Sequence, residues 1–220
     1  MGKIDYDSLY KLQDSVLQAV FCEQTEFYLT GGTCLNRFYF KARFSDDLDF
    51  FTNFSSTFYF AINAIKRVLK SFHVKVILET KDFVRLSVEQ YNQILQIDFF
   101  NDRVKRFGEI TNKNGVLLDN PLNILSNKLT TVLSRNEAKD VFDIYLICSN
   151  QNFNWSEILI QTREKMLFQK EDLLYKLKTF PYDLLHTINL KDTNILSNFD
   201  NKLSLLITDI ENEVNNSLYK

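Results

Sequence analysis

Three acidic residues and a pair of glycines carry the most chemistry in this sequence. Asp47 and Asp49 stand in the run Arg43-Phe44-Ser45-Asp46-Asp47-Leu48-Asp49-Phe50. On an extended strand, residues i and i+2 share a face, so both carboxylates project one way while Leu48 turns towards a core. Two carboxylates that close repel each other unless a cation lies between them. Hard oxygen donors at this spacing suit Mg²⁺, which keeps several waters and often completes its shell with substrate phosphates. Asp98, in Ile97-Asp98-Phe99, is a single carboxylate flanked by apolar residues on a later strand. If that strand lies beside the first, Asp98 reaches the same cluster. Gly31 and Gly32 follow Leu29-Thr30 and precede Thr33, a strand running through a glycine pair into a helix. With no Cβ in the way, backbone N–H groups there can approach an anion, and the helix dipole favours one. Each feature has a plainer reading: a tight turn, a solvated Asp-x-Asp, an edge-strand charge that blocks aggregation. What sets them apart is their order, each at a strand end or on a strand face.

These residues need elements to hold them. Leu9, Leu12, Val16, Leu17 and Val20 recur at helical spacing, which predicts a first helix over Tyr6–Cys22. A short strand over 26–30 enters the glycine pair, and Thr33 is placed to cap a helix through Leu35, Phe38 and Tyr39. Residues 47–51 read as a half-buried strand and 58–72 as a helix; 74–78, 83–88 and 94–100 read as strands. After Pro121 the texture becomes helical, over 122–133, 138–148, 155–168 and 194–218. The expected fold is α+β: a mixed sheet with flanking helices over 1–120, then a helical bundle over 121–220.

Only 5 Gly and 2 Pro occur in 220 residues, so turns are scarce and helices long. Lys plus Arg total 26 against 28 Asp plus Glu, a formal charge of −2, which argues against a generic coat for polyanions. The basic and acidic counts are 15 and 15 in 1–120, and 11 and 13 in 121–220, so neither part stands out. Cys22, Cys34 and Cys148 are odd in number and far apart, against a disulfide framework or structural zinc. His73 and His186 have no partner at metal-ligand spacing, so histidine catalysis is not expected. No apolar run approaches the ~18 residues of a spanning helix. The chain is therefore expected to be soluble and cytoplasmic, with no membrane partner.

Gly31-Gly32, then Asp47-x-Asp49, then Asp98 resembles the signature of the DNA polymerase β-like nucleotidyltransferase superfamily. More narrowly, Leu29-Thr30-Gly31-Gly32-Thr33-Cys34-Leu35 followed by Arg43 to Phe50 is similar to the AbiEii/AbiGii-like branch of abortive-infection and toxin–antitoxin proteins. Lys128, and then Arg135-x-x-x-Lys139-Asp140-x-x-Asp143-x-Tyr145, extends the likeness, which covers about residues 27–146. The gap from Gly32 to Asp47 is longer than in the compact antibiotic-modifying relatives, and Cys34 stands where a small residue is common.

The resemblance implies a two-metal nucleotidyltransferase taking an NTP. Asp47, Asp49 and Asp98 would bind Mg²⁺ or Mn²⁺, with Asp98 nearest the nucleophile as the base. Gly31, Gly32, Thr33, Arg43 and Ser45 would bind the nucleotide. Lys128 would meet the triphosphate as a compact cation, and Asp140 or Asp143, three apart on one helix face, would orient it or touch the nucleotide. RNA, tRNA first, is the implied acceptor, in a toxin or phage-defence role with an antitoxin protein as partner. A small-molecule nucleotidyltransferase of the antibiotic type and a non-catalytic nucleotide-binding module remain open. So do plainer readings of the satellites: Lys139, Asp140 and Asp143 as a solvated helix face, Arg43 as an exposed loop charge, and Arg103 to Arg106 as a solvated turn or a guide for RNA. Trp155 and most Phe residues are expected in the core.

Overall fold

A computed structural model describes residues 4–23, 25–90 and 92–219. The chain divides into two compact units. The first comprises residues 1–34, 45–104 and 109–119, the second residues 35–44, 105–108 and 120–220. The last crossing between them falls after Asp119. The short excursions 35–44 and 105–108 join the second unit from within the first unit's sequence.

The first unit opens on α1 (Tyr6–Cys22), whose N-terminal N–H groups at Asp7 and Ser8 are capped by the Asp5 side chain. Its buried stripe is Leu9, Leu12, Gln13, Val16, Leu17 and Val20. The strands are β1 (Tyr28–Thr30), β2 (Leu48–Asn53), β3 (His73–Glu79), β4 (Phe83–Gln90), β5 (Gln93–Asp102), β6 (Thr111–Lys113) and β7 (Val116–Leu118). They form one mixed sheet in the order β3-β4-β5-β2-β1-β7-β6. The β2–β5 and β1–β7 pairs are parallel and the rest antiparallel. β2 starts at Leu48, so Asp47 sits just ahead of it. One sheet face is the core: Leu48 and Phe50 of β2, Val84, Leu86 and Val88 of β4, and Leu95, Ile97 and Phe99 of β5 are all buried. Phe50 and Phe99 stack there at 5.0 Å between centroids. The alternation puts Asp49, Arg85 and Asp98 on the other face.

α2 (Gly31–Thr33) is a single turn that widens into a π-helical stretch over Cys34–Tyr39. The turn begins at Gly31, with Thr30 in the cap position, rather than after Thr33 as the cap preference suggested. α3 (Phe58–Val68) ends early in a 3₁₀ turn over Leu69–Ser71.

The second unit is a bundle: α4 (Pro121–Ser134), α5 (Ala138–Asn150), α6 (Trp155–Lys165), α7 (Lys170–Lys178) and α8 (Phe199–Asn212), with 3₁₀ turns over Tyr182–Thr187 and Thr193–Leu196. Asn120 caps α4 with Pro121 at its first position. Trp155 is fully buried. The helix expected over 194–218 is broken, because Asn198 and Glu213 adopt left-handed conformations and stop α8 at both ends. The strands β6 and β7 and the helix α7 had no expectation from the sequence. Among the described residues, no helix is long and apolar enough to cross a membrane.

Candidate active site

In the first unit the acids share one row. Asp49 of β2 is the register partner of Asp98 of β5, and in a parallel pair such residues project from the same face. Asp98 in turn faces Arg85 of β4, and Asp49 faces Thr30 of β1. The row across four strands is thus Arg85, Asp98, Asp49, Thr30. Two residues along the strands lies a row of aromatics: Phe83, Phe100 and Phe51, with ring centroids 4.6 Å apart at each step, and then Tyr28. These rings cover one flank of the acids.

Asp98 is buried and held on both oxygens. Arg85 Nε donates to Oδ1 at 2.8 Å and Nη2 to Oδ2 at 2.7 Å, while Gln96 Nε2 reaches Oδ2 at 3.3 Å. The ion pair keeps the Arg85 guanidinium above its ordinary pKa against desolvation, and the fields of Asp49 and Asp47 add to the effect. One cation therefore senses all three carboxylates.

The geometry at Gly31 is forced. Its φ is +69°, and a Cβ there would stand 2.6 Å from Asp49 Oδ2. The close approach that the glycine permits is to the carboxylate of its own sheet. Thr30 Oγ1 donates to Asp119 Oδ2 at 2.6 Å, and the Asp119 N–H donates to the Leu29 carbonyl, which fixes the strand end before the turn. Asp119 is completely buried.

The stretch carrying Ser45 and Asp47 is clamped. The Thr33 hydroxyl reaches the Asp47 carbonyl and shares a 2.8 Å bond with the Ser45 hydroxyl. From α1, Gln13 Nε2 donates to the Ser45 carbonyl at 3.0 Å, the Tyr10 hydroxyl accepts the Ser45 N–H at 3.2 Å, and the Tyr6 hydroxyl donates to Asp46 Oδ1 at 2.7 Å. Thr33 and Ser45, expected at the nucleotide, are both buried and linked to each other.

The second unit gathers Arg43, Lys128, Asp140 and Asp143. Asp143 accepts from Arg43 Nε (2.9 Å) and Asn36 Nδ2 (3.1 Å) on Oδ1, and from Arg43 Nη2 (2.7 Å) and Lys128 Nζ (2.9 Å) on Oδ2. Asp140 accepts from Lys128 Nζ at 2.7 Å and Arg135 Nε at 2.8 Å. Arg43 is not an exposed loop charge, and Asp140 and Asp143 are not a solvated face: both acids are fully buried. Lys139 alone of that stretch is exposed. Burial pushes the Asp143 carboxyl up, but Lys128 and Arg43 outweigh it and hold it well below the carboxylate range. Asp140 is lowered too, Lys128 and Arg135 overcoming its desolvation. Burial pulls the Lys128 ammonium down, and Asp143 and Asp140 more than restore it. Arg43, Lys128 and Arg135 thus surround the two carboxylates with positive charge.

The all-oxygen set Asp47, Asp49 and Asp98 fits a hard divalent cation by donor chemistry, and Asp49 and Asp98 share a face. Among the described residues, no three His, Cys, Asp or Glu side chains converge as they do around a bound ion. At Asp98, Arg85 supplies the positive charge. His73 and His186 are exposed and lie apart from these groups in sequence and role, while burial pushes the thiols of Cys34 and Cys148 far up.

Sequence reasoning passed over Arg85, Asn36, Asp119 and the α1 trio Tyr6, Tyr10 and Gln13. Arg85 had a signal: a lone charge in Phe83-Val84-Arg85-Leu86-Ser87-Val88, on the face opposite Val84, Leu86 and Val88. The others gave none: Tyr6, Tyr10, Gln13 and Asp119 bond to residues 32 or more positions away, and Asn36 reaches Asp143 across 107 as well as the nearby Arg43 N–H.

A family profile described as nucleotidyl transferase AbiEii toxin of type IV toxin–antitoxin systems matches residues 17–205. No curated protein sequence matches this one. Among solved structures, JHP933 from Helicobacter pylori is similar over 96% of this chain and 94% of its own, at 19% identity and a TM-score of 0.62. MenT4, the nucleotidyltransferase toxin Rv2826c from Mycobacterium tuberculosis H37Rv, is similar over 88% of this chain and 72% of its own, at 15% identity and a TM-score of 0.51. At these identities the likeness is one of fold.

Proposed function

The chain belongs to the AbiEii nucleotidyltransferase toxin family of type IV toxin–antitoxin systems, and from that premise we propose that it moves a nucleotide from an NTP to RNA with the help of Mg²⁺ or Mn²⁺. The observation that carries this reading is the registered pair Asp49 and Asp98 on adjacent parallel strands, with Asp47 two residues ahead of Asp49.

Asp47, Asp49 and Asp98 are the residues we assign to the metal. When bound, divalent ions would activate the attacking oxygen and neutralise charge on the departing pyrophosphate. Asp98 would accept the proton of the attacking hydroxyl. Gly31 leaves the Asp49 carboxylate room beside the strand end, and Thr33 with Ser45 fixes the backbone of Asp47. Lys128, kept charged by Asp140 and Asp143, is assigned to the triphosphate, and Arg43 holds Asp143 in place for it. RNA, with tRNA first, is the acceptor we favour, and an antitoxin protein is the partner that goes with the family.

Incubation with each α-labelled NTP, Mg²⁺ and total RNA tests the reading. Label is expected in RNA, and Asp47→Asn or Asp49→Asn is expected to abolish it while leaving the fold unchanged by circular dichroism. Undiminished labelling by both variants would refute the carboxylate assignment. Label in protein rather than RNA would move the acceptor.

A further inference from the structure

Arg85 and Asp98 form a fork-on-fork pair on the same row as Asp49. The two partners differ in freedom. Both sit on interior strands, but the Asp98 side chain is 6% exposed on a short stem, whereas the Arg85 side chain is 38% exposed on a long one. If the pair parts, Arg85 is the member that moves. The Phe83 ring, 5.5 Å from the guanidinium, gives its stem and head a surface to lie on. Charge points the same way. Asp49 and Asp98 carry −2 together against the single charge of Arg85, and a divalent ion in its place would cancel both.

We infer that Arg85 is an internal counter-cation: it aims and neutralises Asp98 while no divalent ion is bound, and it releases that carboxylate when one binds. The inference rests on the nucleotidyl-transfer reading and deepens it, because it makes the metal affinity of the row partly a property of Arg85. Arg85 is a positioning residue, since it acts through Asp98. Its removal has two opposite effects. Without metal, the three acids lose their shield and the fold loses stability. With metal, a competitor is gone and the ion binds more tightly.

The test compares wild type, Arg85→Gln and Arg85→Lys by thermal unfolding in EDTA and across a Mn²⁺ titration, with Mn²⁺ affinity measured by calorimetry and Asp49→Asn as the control for the row. The Gln variant keeps hydrogen-bonding capacity without charge. The Lys variant keeps charge without the fork and covers the case in which the Gln variant folds poorly. Arg85→Gln is expected to melt lower than wild type in EDTA, to gain more from Mn²⁺, and to bind Mn²⁺ at least about fivefold more tightly. Arg85→Lys should fall between. Equal or weaker Mn²⁺ binding by Arg85→Gln, or a melting deficit that Mn²⁺ leaves untouched, would overturn the inference and reduce Arg85 to a structural residue, provided that Asp49→Asn still abolishes binding. If wild type and Asp49→Asn bind Mn²⁺ alike or not at all, the metal reading falls, and this inference with it.

Discussion

Gly31 owes its identity to a single oxygen atom. A side chain there meets Asp49 Oδ2 at 2.6 Å and must also accept φ of +69°. We expect Gly31→Ala to cost about 1–3 kcal/mol in urea unfolding and to depress nucleotide transfer by more than its stability loss explains; an unchanged variant would show that the approach to Asp49 is incidental. In the second unit, Asp143 binds two buried cations, so Asp143→Ala should cost about 3–5 kcal/mol, read in the same way. The pH dependence has a definite sign. Asp143 and Asp140 are held below their unfolded pKa, so their stabilisation is present above about pH 4 and drains away as pH falls through the folded values. Lys128 is raised, so its share is complete below about pH 10.4 and is lost as pH climbs through the folded value. Urea midpoints should be flat from about pH 5 to about pH 8, above which the buried thiols of Cys34 and Cys148 begin to favour the unfolded chain, and Asp143→Asn should flatten the acid limb; a limb of unchanged steepness would contradict the pairing. Strand alternation made the inward turn of Leu48 and the outward turn of Asp49 legible in the sequence. Arg43 gave only an ambiguous charge, because its partner Asp143 is 100 residues away.

Helix α1 serves as the clamp on the stretch ahead of β2 as well as a core helix. Gln13 lies on its buried stripe, an amide among Leu9, Leu12, Val16 and Leu17, and spends its Nε2 on the Ser45 carbonyl. Tyr10→Phe removes the acceptor of the buried Ser45 N–H, which should cost about 1–3 kcal/mol and lower transfer by loosening Asp47; full activity with full stability would show that the stretch holds without α1. The extent of α1 could be read from its apolar spacing. Less legible were elements set by backbone conformation or by neighbours. α8 is cut at Asn198 and Glu213 by left-handed conformations that apolar spacing does not encode. The strands β6 and β7 are three residues each, too short for alternation to register, and exist because β1 offers an edge to Leu118.

At the scale of the molecule, two compact units are woven from one chain, and residues 35–44 and 105–108 belong with the later helices. Contact over such separations leaves no trace in composition, so a linear reading places one boundary where the chain makes several. The balanced charge of −2 also constrains how the proposed RNA acceptor is held. Of the basic run, Arg103 pairs with Asp82 and Lys105 with Glu164, so little positive charge is left for phosphates. RNA binding measured against salt should therefore have a log–log slope shallower than about −2, near the value for three phosphate contacts on a single strand; a slope beyond about −5 would reveal a basic surface that these pairs do not allow. The central claim is that one row of carboxylates holds the catalytic cation, and crystals soaked in Mn²⁺ address it most directly. We expect an anomalous peak within about 2 Å of Asp47 and Asp49 oxygens, with Asp98 turned to it and Arg85 drawn aside. A Mn²⁺ peak confined to other residues, with Arg85 still locked on Asp98 at saturating metal, would contradict it.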